Sequence, residues 1–226
     1  NAIVVLPDAD LDLATRAILF GAVGTAGQRC TSTRRILVHK DIARELEARL
    51  CKAYGQCRIG NPFDKKTRLG AIVSRQQQES VLQYIATGNA EGASLVAGGK
   101  AATVNGKGYF VEATVFDGVK PEMTIAREEI FGPVLAVLGF DDEEEAIALA
   151  NQSMYGLAAG VWSRDIGRAH RVAHAIRAGT VWVNTYNMYD AASPYGGVKQ
   201  SGFGRENGRA VLDELTQLKS VWISLT

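Results

Sequence analysis

The chain has 226 residues, 46% of them hydrophobic, and sets 25 Lys and Arg against 24 Asp and Glu for a formal charge of +1. That near-neutral balance offers no general electrostatic pull toward nucleic acid or an anionic bilayer, while the apolar share is enough for a sizeable core. The apolar runs are too short and interrupted to span a membrane. Cys30, Cys51 and Cys57 form no close pair, which argues against a disulfide framework or a zinc knot and points to a reducing, cytoplasmic setting.

The chain opens directly on an apolar run, "NAIVVLPDADLD", with no polar leader, and so reads as a segment of a larger protein. Residues 3–6 predict a buried strand. A helix follows, entered through Asp8 or Asp10, whose carboxylates can accept from unpaired helix N–H groups, and stopped by Gly24 and Gly27. "RRILVH" predicts a strand, and Ile42, Leu46, Leu50 and Ala53 recur at helical spacing after it. Ser74 is an N-cap for the helix "RQQQESVLQYIATGNAEG", "SLVAGG" a short strand, and "GKGYFVEATVFDGV" an antiparallel excursion from the main sheet. "PVLAVLGF" and "GLAAGVWS" read as strands around the acid-led helix "DDEEEAIALANQS", and "DIGRAHRVAHAIRAG" and "TVWVNT" add a helix and a strand. This alternation predicts an α/β fold, a layered sheet with helices on both faces. The tail "TQLKSVWISL" reads as a separate terminal strand.

Three segments carry unusual chemistry. In "GTAGQRCTSTRR", Gly27 lets backbone approach Cys30 closely, Thr31 and Ser32 permit a turn of helix N–H groups, and Arg29, Arg34 and Arg35 are sources of positive potential if they turn inward. A lone cysteine is more often a small buried apolar residue, so the local chemistry leaves both readings open. No metal set accompanies it: His170 and His174 are one helical turn apart but lack a partnering Glu, and no metal is expected. In "TIAREEIFGPVLAV", Pro133 restricts Gly132 and stiffens the turn that presents Glu129 and Phe131. An acid beside an aromatic ring suits a sugar hydroxyl and a planar heterocycle, and equally suits a solvated turn over a core phenylalanine. In "WVNTYNMYDAASPYGGVKQSGFGRENG", Tyr186, Tyr189 and Tyr195 can wall an aromatic pocket or belong to a long irregular connector.

Together "GQRC", "EEIFGPV" and "PYGGVKQSGFGRENG", in this order across essentially the whole chain, resemble the catalytic region of the aldehyde dehydrogenase superfamily. The resemblance implies NAD(P)+-dependent oxidation of an aldehyde to a carboxylic acid through a thiohemiacetal and a thioester. It implies Cys30 as nucleophile with its own N–H in the oxyanion hole, Glu129 and Phe131 as contacts to the nicotinamide half of NAD or NADP, and Asn184 as a support near the cysteine loop. Tyr189 and Tyr195 fall where family members build the aldehyde funnel, and suit a polar or cationic aldehyde. It divides the chain into a thiol-bearing domain, 1–215, and a bridging strand, 216–226, that joins copies into a homo-oligomer. Family members carry a cofactor domain and a general-base Glu in an "E-L-G-G-K" stretch before this region. Residues 1–226 alone are therefore expected to bind cofactor weakly and to lack turnover. The alternatives are a non-catalytic assembly module, or cysteine-dependent acyl transfer, which leaves Glu129 and Phe131 unexplained.

Overall fold

The computed structural model describes residues 1–226. A seven-stranded sheet runs in the order β10-β9-β1-β2-β7-β6-β3. Its strands are β1 (Ala2–Val5), β2 (Arg35–His39), β3 (Ser94–Ala97), β6 (Thr114–Asp117), β7 (Val134–Phe140), β9 (Ala158–Trp162) and β10 (Thr180–Val183). Every pairing is parallel except that of the edge strand β3 with β6. β1 and β9 are buried along their whole length, as strands covered on both faces must be.

Helices supply the cover. α1 (Leu11–Val23) packs on α2 (Lys40–Gly55), and α5 (Glu143–Asn151) on α6 (Ile166–Ala175). α2 turns Leu46 and Leu50 of the expected stripe into the core, but its last buried position is Tyr54 rather than Ala53, and Ile42 is only half-buried. Side-chain oxygens of Asp10, Ser74, Asp142 and Asp165 cap α1, α3 (Arg75–Ala90), α5 and α6, each accepting from N–H groups of the first turn. Of the two caps considered for α1, Asp10 takes the role. Asp8 instead accepts from the Ser163 hydroxyl and the N–H groups of Arg164 and Asp165, tying β1 to the end of β9.

The segment read as one antiparallel excursion divides in two. β4 (Ala101–Val104) and β5 (Lys107–Val111) form a separate hairpin, while β6 rejoins the main sheet beside β7. Short pieces complete the chain: α4 (Thr124–Arg127), β8 (Tyr155–Gly156) paired with β11 (Val198–Lys199), and α7 (Val211–Leu215). The strand expected in the tail forms no ladder within this chain. Residues 216–226 are irregular and exposed, because a strand needs a partner for its N–H and C=O groups and none lies beside them. No helix is long and apolar enough to cross a membrane.

Candidate active site

β2 and β7 are parallel neighbours, with Arg35 opposite Ala136, so the segments entering them lie side by side. Cys30 sits five residues before β2 and Phe131 three before β7, both at the amino ends of the strands. The approach to Cys30 is tightly wound. After α1 the chain passes through Thr25, Ala26 and Gly27, all left-handed with φ of 55°, 53° and 68°, a conformation that strains the two side-chain-bearing residues. At Gly27 an added Cβ would overlap the carbonyl oxygen of Gly132, so the two loops touch backbone to backbone.

Cys30 is exposed. Asn1 Nδ2 donates to its carbonyl at 2.6 Å and to that of Ser32 at 3.1 Å, and its own N–H makes no backbone hydrogen bond. The thiol lies 3.8 Å from the Tyr195 hydroxyl. Burial pushes the ionisation of that phenol well up, and its contact with the thiol adds to the shift, so the hydroxyl stays protonated at neutral pH.

Across a cleft of about 220 Å³ stands Glu129; Arg34, Arg35, Tyr155 and Ser201 also line the space. Of the paired acids, Glu128 accepts from the Tyr84 hydroxyl at 2.8 Å, while Glu129 forms no hydrogen bond or ion pair with the rest of the chain. Phe131 is held at φ 52°, and Gln77 Nε2 pins the turn by donating to the carbonyls of Ile130 and Phe131 at 3.2 and 3.1 Å. The stiffness read from Pro133 thus has a second source, a side chain 53 positions upstream.

The third segment leaves the carboxyl end of β10 and runs back across the sheet. Tyr186 is buried, its hydroxyl donating to the Thr31 carbonyl at 3.0 Å, and Tyr189 reaches the Thr31 hydroxyl at 3.4 Å. Trp182, Tyr189 and Tyr195 pack edge to face in a row with centroid spacings of 5.6 and 5.4 Å. They wall a recess of about 320 Å³ with Asp190 on its rim, and Tyr195 joins that recess to Cys30. Antiparallel pairing of Tyr195 with Glu206, and Arg205 donating to the carbonyls of Gly197 and Gly204, hold the return in place.

Of the six residues singled out from sequence, Cys30 and Glu129 line one cleft, Tyr189 and Tyr195 line the recess that Tyr195 links to the thiol, and Phe131 lines neither but lies beside Arg34. Asn184 does not line the cleft or the recess. Its amide holds Ser163, accepting from the N–H at 3.1 Å and donating to the carbonyl at 2.8 Å, and so fixes where the third segment departs. Asn1, Gln77 and the inward turn of Arg34 were not legible as site features. No cluster of His, Cys, Asp and Glu capable of holding a metal occurs.

The donor set fits a nicotinamide riboside. A free carboxylate can accept from ribose hydroxyls, the Phe131 ring follows it two positions on in the same turn, and the Cys30 nucleophile lines the same cleft as the carboxylate. A betaine aldehyde dehydrogenase of Brucella anthropi is 47% identical over 227 residues, covering 100% of this chain and 47% of the relative. Among solved structures, the aldehyde dehydrogenase KauB of Pseudomonas aeruginosa superposes with a TM-score of 0.95 at 45% identity, over 100% of this chain and 46% of that one. The NAD+ complex of an aldehyde dehydrogenase from Bacillus cereus gives a TM-score of 0.95 at 46% identity, over 100% and 46%. The chain thus spans about half the length of the curated relatives it matches. The family model described as "Aldehyde dehydrogenase family" matches residues 1–221, and this chain belongs to that family.

Proposed function

We propose that these residues carry the thiol half of an NAD(P)+-dependent oxidation of an aldehyde to a carboxylic acid. The observation that carries it is the exposed Cys30 on one cleft with Glu129, its thiol beside the Tyr195 hydroxyl that also lines the aromatic recess. The Cys30 thiolate attacks the carbonyl carbon, forming a C–S bond while the carbonyl electron pair moves to oxygen. The uncommitted N–H of Cys30 is placed to donate to that oxyanion, and the Tyr195 hydroxyl is a second donor beside the sulfur. The nicotinamide, when bound, supplies the hydride acceptor. Glu129 would hold the neighbouring ribose and Phe131 would limit the ring's movement; loss of the C–H hydride from the thiohemiacetal to that acceptor leaves a Cys30 thioester, from which water releases the acid and regenerates the thiol. No residue of 1–226 is assigned the base for that last step.

Tyr189, Tyr195 and the rim carboxylate of Asp190 favour a polar or cationic aldehyde, and betaine aldehyde, the substrate in the names of the Brucella relatives, has that character. We further assign the exposed tail to pairing with a second copy, and a reducing, cytoplasmic setting to the three free thiols. The direct test of the thiol chemistry is protection. Millimolar betaine aldehyde should slow iodoacetamide labelling of Cys30 and leave Cys51 and Cys57 unchanged, because a thiohemiacetal removes the thiolate. Labelling of Cys30 that ignores every aldehyde tried would overturn the assignment.

A further inference from the structure

Arg34 is almost wholly buried, yet it forms no ion pair. Its guanidinium donates only to main-chain carbonyls: Nη1 to Gly132 at 2.8 Å, and Nη2 to Gly27 at 2.6 Å and Arg29 at 3.5 Å. Those acceptors belong to two loops about 100 positions apart, one ending at Cys30 and the other carrying Glu129 and Phe131. The same guanidinium lies 5.6 Å from the Phe131 ring centroid. It therefore spans the seam where Gly27 meets Gly132.

Burying a guanidinium is costly unless strong acceptors compensate, and a residue needed only to fill that space could be apolar. Burial pulls its ionisation down to about 10, with Glu129 acting in the opposite direction, so the group remains charged at neutral pH. A planar fork reaching two backbones at fixed angles is a task that lysine, a single point charge, performs poorly.

We propose that Arg34 is a positioning residue that couples the two loops, so that Cys30 and the Glu129–Phe131 edge keep one spacing and move as a unit. This rests on the reading that both loops serve one site, but its tests need neither aldehyde nor cofactor, so either idea can fail alone. The variants are Arg34→Met, which keeps much of the volume, and Arg34→Lys, which keeps the charge. In Arg34→Met, hydrogen exchange should rise about tenfold both at residues 27–32 and at 130–134, with β9 and α6 unchanged. Exchange that rises at 27–32 alone, or uniformly across the chain, overturns the proposal.

A second readout separates coupling from simple destabilisation. Phe131→Ala should change the rate of Cys30 alkylation by about fivefold in the native background and by less than about twofold in Arg34→Met. An equal effect in both backgrounds means that the loops are not coupled through Arg34. Should Arg34→Met fail to fold, Arg34→Lys carries both measurements. It is expected to keep one loop protected and lose the other, and full protection of both loops would overturn the role of the fork.

Discussion

At the scale of single residues, access and environment separate the three thiols. Cys30 is exposed, whereas Cys51 and Cys57 are half-buried on and just after α2. Burial pushes both of those thiols up; Glu47 and Asp117 add to the shift at Cys51, while Arg68 partly offsets it at Cys57. Since the thiolate is the nucleophile, brief limiting alkylation at pH 7 should label Cys30 at least about tenfold faster than either. Site-resolved mass spectrometry reads this directly, and first labelling at Cys51 or Cys57 would remove Cys30 from its role. From residue types alone Cys30, Glu129 and Phe131 each kept two readings, and only the order of the three motifs singled them out together; the structure puts Cys30 and Glu129 on one cleft. The role of Arg34 was not legible: of two adjacent arginines, strand parity decides which faces the cysteine loop. Arg35 turns the other way, to the carbonyls of Leu149 and Ala150 at the end of α5.

Elements were legible wherever local signals suffice. Apolar periodicity located α2, capping residues marked the starts of α1 and α3, and the leading acids marked that of α5. What escaped depends on partners outside the local pattern, as with β6, which rejoins the main sheet beside β7, and the tail, whose apolar residues alone cannot make a ladder. The left-handed turn before Cys30 is the most demanding local element. Gly27→Ala adds a Cβ at φ 68° and drives it into the Gly132 carbonyl. The expected loss is about 2–4 kcal/mol, read as a lower urea midpoint with an unchanged slope. A loss below about 0.5 kcal/mol would mean that the two loops are not in contact.

At the scale of the whole molecule, two expectations concern what lies around this chain. In the proposed reading Glu129 and Phe131 reach only one end of a dinucleotide. NAD+ and NADP+ should therefore bind residues 1–226 with a Kd of about 1 mM or weaker, because few contacts offset the cost of ordering the ligand. Calorimetric titration checks this, and micromolar affinity would mean that the cofactor site lies elsewhere on the chain. The tail exposes Leu218, Val221, Trp222, Ile223 and Leu225 together, an apolar edge of the kind that recruits another strand. Light scattering on residues 1–226 and 1–215 should show larger species only for the longer chain. Equal monomers at high concentration would remove the tail from any role in assembly.

The position of β1 has a consequence for how the protein is made. Its four residues lie between β9 and β2, and without them the sheet would separate into β10-β9 on one side and β2-β7-β6-β3 on the other. Of these seven strands β1 is made first, yet Trp162 of its neighbour β9 emerges some 160 residues later. At about 5–20 residues per second, its apolar edge waits roughly ten to thirty seconds for that partner. β2 follows within about 35 residues and can cover one edge, so through most of that interval the nascent chain presents the other, β9-facing edge of an apolar strand unpaired, which makes it a natural client for chaperones that bind such edges.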